Sequence, residues 1–360
     1  MALKEKILAA LGEVEDPDLK KDLVTLGMIK HLEINGQKIS FTLELTTPAC
    51  PMKEMLEAAC RTAISQFVDP SLKVEIDITS RVTTQRNNNE QVLKGIKNII
   101  AVASGKGGVG KSTIALNLAL GLAQSGASVG LLDADIHGPS LPVMLGRRTI
   151  KPETRQVEGS DKFTIIPIEQ FGLKAMSMGM LVPENQPMIW RGPMVSSALR
   201  QMFLDVEWGE IDYMIVDLPP GTGDIHLTLM QHFPVTGVVI VTTPQQVSLA
   251  DTRRTIEMFR NQQVQAPVLG IVENMSWFSP LDAPEKQYYL FGKGGGEQLS
   301  KEYNLPLLAQ VPLFQGMAGD ADEGQPALLS KVATVQRPFL EMTARVAQQV
   351  STVNARLSGQ

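Results

Sequence analysis

Cysteine is scarce in this 360-residue chain, which has only Cys50 and Cys60. Two thiols cannot form the multi-bridge framework of a small secreted domain, and they cannot complete a four-thiolate metal site within one copy of the chain. Long apolar runs are also missing. None approaches the roughly 18 residues that a membrane span needs, so no membrane partner is expected. The opening segment, Met1 to Asp22, breaks its short apolar stretch with charges and lacks the apolar core and cleavage site of a secretory signal, which predicts a cytoplasmic protein. Blocks of like charge are absent too: 33 basic against 38 acidic residues give −5. That balance argues against broad binding to nucleic acid or anionic lipid.

The remaining composition is that of an ordinary globular chain, with 43% hydrophobic and 20% charged residues and a mean hydropathy of +0.01. Its length exceeds the usual single-domain size of roughly 100 to 200 residues, so two domains are expected. Residues 1–80 read as a small α+β unit. It has a helix near Lys4 to Leu11, strands near Met28 to Ile34 and Ile39 to Leu45, a helix from Met52, and a strand at Val74 to Ile78 whose strict alternation fits one buried side. Residues 81–95 are polar and lack an apolar period, as a linker does. Residues 96–360 alternate short β-branched runs with helical patterns and predict an α/β domain whose mostly parallel sheet is covered by helices on both faces. Its strands are expected at Asn98 to Ser104, Ser128 to Asp133, Tyr213 to Asp217, Gly237 to Thr243 and Val268 to Glu273. Helices are expected at Ser112 to Gln124, Val195 to Leu204 and Leu249 to Asn261. A final helix over Val332 to Val353 is expected to break near Pro338.

The strongest chemical signal is Gly105-Lys106-Gly107-Gly108-Val109-Gly110-Lys111-Ser112-Thr113, a phosphate-binding loop between an expected strand and an expected helix. Its glycines let backbone N–H groups surround phosphate oxygens, and the helix adds the positive end of its dipole. Lys111 is expected on the β- and γ-phosphates of ATP and the Ser112 hydroxyl on Mg²⁺. Lys106 is a second lysine in a loop that needs one, and its place suggests a catalytic reach across a dimer interface to the partner's nucleotide. Asp133 and Asp135 fall at the end of the second strand, where ligands of open α/β sheets bind. Asp135 is expected to orient the attacking water or hold a Mg²⁺-bound water, while Asp133 braces the loop. Asp217 ends the third strand as a further Mg²⁺-holding acid, followed by Leu218-Pro219-Pro220-Gly221-Thr222-Gly223-Asp224 as a switch loop.

Gly105 to Thr113 resembles the loop of the MinD/ParA-type deviant Walker class. Asp133 to Ser140, Trp190-Arg191-Gly192-Pro193-Met194, Asp217 to Asp224, Glu273-Asn274-Met275-Ser276 and Phe291 to Gly296 narrow the likeness to the Mrp/ApbC family of iron-sulfur cluster carrier ATPases. The N-terminal unit, through Thr46-Thr47-Pro48-Ala49-Cys50-Pro51, is similar to the metal-sulfur cluster assembly domain often fused ahead of that ATPase. The resemblance implies a homodimeric ATPase that takes an iron-sulfur cluster from a donor and passes it to apo-proteins. It also implies that Asn274 contacts adenine. A nucleotide-switched positioning or adaptor ATPase that binds no cluster is the alternative.

Many members of that family carry a C-x-x-C pair between the Glu-Asn-Met-Ser and Phe-Gly segments. Here Trp277 to Tyr289 stands in its place and offers hard oxygen donors where cluster iron takes thiolates, similar to a branch that includes a chloroplast member. Cys50 is then the candidate iron-sulfur ligand. Lying just before the helix from Met52, it is expected to have a lowered pKa. Cys60, between Leu56 and Ile64 on the helix, is expected in the core, too far along it to form a disulfide with Cys50.

Overall fold

The structure, a computed structural model, describes residues 3–84, 93, 95–136, 138–147, 150–156, 159, 161–181, 192–261, 264, 266–280, 282–283 and 285–358. It divides into two compact units, Met1–Gln85 together with Ala347–Gln360, and Arg86–Val346. The final residues thus group with the N-terminal unit, whereas the sequence reading left them in the second domain. Most of the expected linker, residues 85–92 and 94, lies outside the described residues.

The first unit runs α1 (Leu3–Leu11), β1 (Glu15–Asp16), β2 (Lys21–Asp22), β3 (Ile29–Asn35), β4 (Lys38–Leu45), α2 (Lys53–Phe67) and β5 (Lys73–Ser80). β4 is the middle of a three-stranded sheet, antiparallel to β3 and parallel to β5. Its alternation buries Ile39, Phe41, Leu43 and Leu45 on one face, against Ile7 and Leu11 of α1 and Leu56, Cys60 and Ile64 of α2. Side chains of period 2 on a strand meet side chains of helical period on α1 and α2, giving a small two-layer core. The short β1–β2 pair closes around Asp16, whose Oδ1 accepts the N–H groups of Asp18 at 2.9 Å and Leu19 at 3.0 Å.

The second unit continues with β6 (Ile96–Ala103), α3 (Lys111–Gln124), β7 (Val129–Asp133), α4 (Leu141–Met144), β8 (Thr154–Gln156), β9 (Phe163–Ile165), β10 (Ile168–Gln170) and β11 (Leu173–Ser177). It goes on through α5 (Gly192–Leu204), β12 (Ile211–Asp217), α6 (Asp224–His232), β13 (Gly237–Thr242), α7 (Gln246–Arg260), β14 (Val268–Ser279), α8 (Gly295–Tyr303), β15 (Leu307–Phe314), α9 (Met317–Asp322) and α10 (Ala333–Ser358). Eight strands form one sheet in the order β10-β11-β7-β12-β6-β13-β14-β15, parallel except for the β10–β11 edge pair. Residues Ile99 to Ala103 are fully buried, as strands covered on both faces must be. Truncating one of them, as in Ile100→Ala, is expected to cost about 2–5 kcal/mol.

α3 lies inside this unit. Ile114 to Leu122 are buried all round the helix rather than on one stripe, and Asn117 is satisfied there by donating to the Thr113 carbonyl at 2.8 Å and accepting the Leu328 N–H at 2.9 Å. The expected break at Pro338 does not occur. α10 runs unbroken, because a proline six residues into a helix removes a single ladder bond while the turns after it stay packed through Phe339, Met342, Val346 and Val350.

Candidate functional site

The C-terminal ends of β6, β7 and β12 lie side by side, with Asp217 level with Asp133 and with Val102. The loop Gly105–Gly110 leaves β6 and enters α3. Gly105 passes so close to α7 that a Cβ there would lie 2.4 Å from the Asp251 carbonyl carbon. Gly110, the N-cap of α3, has φ +79° and would drive a Cβ to 2.2 Å from Asn274 Nδ2. Both positions therefore admit only glycine.

Lys111 is 6% exposed and its Nζ forms an ion pair with the Asp217 carboxylate, itself 2% exposed; the same Nζ stands 3.4 Å from the Ser112 hydroxyl. Burial pushes the Asp217 pKa up, and the Lys111 ammonium opposes it. The loop lysine and the strand-end acid thus neutralise each other. Asp133 is fully buried and braces the next loop as expected. Its Oδ1 accepts the Asp135 N–H at 3.0 Å, and its Oδ2 accepts the Ser177 hydroxyl at 3.0 Å and the Leu141 N–H at 3.3 Å. Burial first, and then the Asp217 charge, pushes its pKa up to about 7. Asp135 is more open and accepts the Gly138 N–H at 3.1 Å. Lys106 is exposed. The switch loop is tied to the end of β6, with the Gly221 N–H donating to the Ser104 carbonyl at 2.8 Å. His137, Trp190 and Arg191 lie outside the described residues.

Asn274 has a task that the sequence did not reveal. A register irregularity in β14 between Asn274 and Phe278, with Met275 at φ +54°, turns the Asn274 amide onto the loop, where Nδ2 donates to the Val109 carbonyl at 2.8 Å. Its neighbour Glu273, 1% exposed, accepts the Gly296 N–H at the start of α8 at 2.5 Å and Gln310 Nε2 at 3.0 Å. Two adjacent side chains therefore fix the phosphate loop and the glycine-rich α8 entrance. The signal for Glu273 was its place in the Glu-Asn-Met-Ser segment, but spacing alone assigns it no partner. His226 was missed altogether. It is fully buried under the switch loop with Nδ1 3.2 Å from the Gly223 carbonyl, and burial brings its pKa down to about 4.

Cys50 does not behave as the sequence predicts. Burial is the largest influence on its thiol and raises the pKa, the Asp16 and Asp18 carboxylates add to that, and the N–H groups of Met52 and Lys53 pull the other way without prevailing. The dipole argument took account of one end of α2 and missed the two acids that the β1–β2 turn brings alongside. Cys60 is in the core as expected, its pKa pushed up to about 12 by burial. Among the described residues no group of three His, Cys, Asp or Glu side chains is placed to hold a metal ion. Phe278 and Tyr288 exchange backbone hydrogen bonds of 2.8 and 3.0 Å, and Lys293 Nζ sits 4.7 Å from the Tyr289 ring centroid.

This loop, its paired lysine and strand-end acid, and the parallel sheet that presents them define a P-loop NTPase. The chain belongs to the family described as NUBPL iron-transfer P-loop NTPase, whose model matches residues 95–350, and residues 4–78 match that of the iron-sulfur cluster assembly protein family. It is 48% identical over 354 residues to the iron-sulfur cluster carrier protein of Synechocystis, covering 98% of this chain and 99% of that one. It is 41% identical over 363 residues to the chloroplastic Fe-S cluster assembly factor of Arabidopsis thaliana, covering 99% of this chain and 65% of that protein. Among solved structures, the nucleotide-binding protein of Archaeoglobus fulgidus in complex with ADP matches with a TM-score of 0.56 and 37% identity, over 67% of this chain and 93% of that one. The expected fold class and family are thus shown. No helix among the described residues is long and apolar enough to cross a membrane.

Proposed function

We propose that the protein is an ATP-hydrolysing iron-sulfur carrier that works as a homodimer, receiving a cluster from a donor protein and delivering it to apo-proteins in the cytoplasm, where its two free cysteines stay reduced. The observation that carries the ATPase half is the Lys111–Asp217 pair beside Ser112. Phosphate gives Lys111 a second partner. With Lys111 on the β- and γ-phosphates, the Asp217 carboxylate is freed of its ion pair, and Ser112, Asp217 and Asp135 would hold Mg²⁺. The bound ion would neutralise phosphate charge. Asp135 orients the attacking water, exposed Lys106 reaches the partner's nucleotide, and Asn274 keeps the loop in shape next to the adenine. The ADP in the Archaeoglobus relative and the carrier names of the relatives support this reading.

The cargo half falls to Cys50, because the Trp277–Tyr289 segment contains no thiol. Two copies of Cys50 in the dimer supply two thiolates, the proton of each leaving as iron binds. ATP turnover and anaerobic reconstitution with iron and sulfide test the two halves separately. Lys111→Ala should abolish turnover and Asp135→Ala should reduce it with less effect on binding; wild-type turnover by the lysine variant refutes the hydrolytic half. A visible absorption band that persists in Cys60→Ser and vanishes in Cys50→Ser is the expected cluster result. Loss in neither variant, or no cluster in the wild type, refutes the cargo half and leaves a nucleotide-switched adaptor.

A further inference from the structure

Two adjoining cavities of very unequal size occupy the first unit. The one around Cys50 measures about 10 Å³ and is lined by Asp16, Thr47, Pro51 and Gln348 together with walls it shares with its neighbour. Such a space takes at most one water molecule. The neighbour measures about 670 Å³ and is lined by Lys20, Lys21, Thr83, Asn354 and Arg356. Asp18, Leu19, Met28, Thr46 and Ser351 line both. The last turns of α10 thus contribute to the Cys50 cavity at Gln348, to the shared wall at Ser351, and to the larger cavity beyond.

We propose that the segment Gln348 to Arg356 of α10 is a movable part of the wall which, with Asp18, Leu19, Met28 and Thr46, divides half-buried Cys50 from the larger cavity, and that it controls access to the thiol from that side. The consequence for cargo rests on Cys50 as cluster ligand; the cover itself does not. Iron bridged by sulfide cannot enter a one-water space, so a cluster reaches Cys50 from the larger cavity only when this wall gives way. Its fastenings suit reversible opening. Gln348 Nε2 donates to the Asp18 carboxylate and Asn354 Nδ2 to the Thr83 carbonyl at 2.9 Å. No ion pair ties this segment to the rest of the unit among the described residues. Val350 is its one buried apolar residue, beside the buried polar Ser351 and Asn354. Segments with few buried apolar contacts and a few polar fastenings open well below the global unfolding free energy.

The test is alkylation of the full-length protein by iodoacetamide without iron, each cysteine followed by mass spectrometry. Gln348→Glu sets a carboxylate against Asp18, and Gln348→Ala removes the fastening. The expected result is Cys50 alkylation about tenfold faster in Gln348→Glu, with Gln348→Ala between it and wild type, while fully buried Cys60 stays unreactive. Equal Cys50 rates in all three proteins overturn the cover. So does a parallel rise at Cys60, which reports loosening of the whole unit. Loss of the carrier reading is seen separately, as a cluster that survives Cys50→Ser.

Discussion

Removing the Lys111 ammonium separates its two tasks, binding phosphate and neutralising Asp217. Both partners are buried, and deleting one member of such a pair leaves an uncompensated charge, at a cost of about 3–5 kcal/mol. Lys111→Met keeps the volume and loses the charge, so nucleotide-free protein should already be destabilised. Trp190, Trp208 and Trp277 all fall within Arg86–Val346, so intrinsic fluorescence reports unfolding of the unit that holds the pair. With a urea slope of about 2–3 kcal/mol/M, the midpoint should fall by about 1–2 M. Lys111→Met/Asp217→Leu should recover most of the loss while binding no better, because two apolar groups replace two charges. The sign with pH also follows. Without the ammonium, burial raises the folded-state Asp217 pKa above the unfolded value, so the native state holds more protons between those two pKa values and stability falls as pH rises through that window. The deficit should be largest near pH 8 and shrink toward pH 5. A single variant with the wild-type midpoint at pH 8, or a double variant no more stable than the single, refutes the reasoning.

Asp133 provides a second pH signature: its pKa of about 7 lies above the unfolded value, so ionising it costs stability as pH rises from about 4 to 7. Asp133→Asn should therefore gain stability relative to wild type as pH rises from 4 to 8, by a few kcal/mol (about 1.4 per pKa unit) on top of a constant loss from the weakened bond to Leu141; a stability difference that does not change with pH in urea unfolding contradicts this. Asn274→Ala leaves the Val109 carbonyl without its donor and should weaken ADP binding by about 1–3 kcal/mol in calorimetry, with an unchanged affinity counting against the brace. Lys106→Ala should lower turnover by about 100-fold while leaving ADP affinity intact, and retained turnover would show that the exposed lysine plays no part in the chemistry.

The parallel strands β6, β7, β12, β13 and the first half of β14 were legible because each is a short apolar run buried on both faces, and the phosphate loop because glycine spacing has a direct backbone meaning. The short, mixed Leu173–Ser177 and Leu307–Phe314 strands were not, since they become strands by pairing with β7 and β14 rather than through their own pattern. The same limit applies within the site. Lys111, Ser112 and Asp217 announce their chemistry by position, whereas the Cys50 environment depends on Asp16 and Asp18, more than thirty residues earlier in the chain. Glu273 and Asn274 acquire their roles through an irregularity in β14, and Gln348 finds Asp18 across almost the full length of the sequence.

Where the usual thiol pair is replaced, Tyr288 is tied by backbone hydrogen bonds to Phe278 at the end of β14. β14 runs for 12 residues, Phe278 pairs with Leu313 on one side and Tyr288 on the other, and Tyr288, Tyr289 and Leu290 are held out to solvent. Ordering a backbone residue from a flexible state costs about 1–2 kcal/mol. For Tyr288 that cost is met by its two hydrogen bonds to Phe278, so its exposed ring is presented from a backbone already ordered with β14.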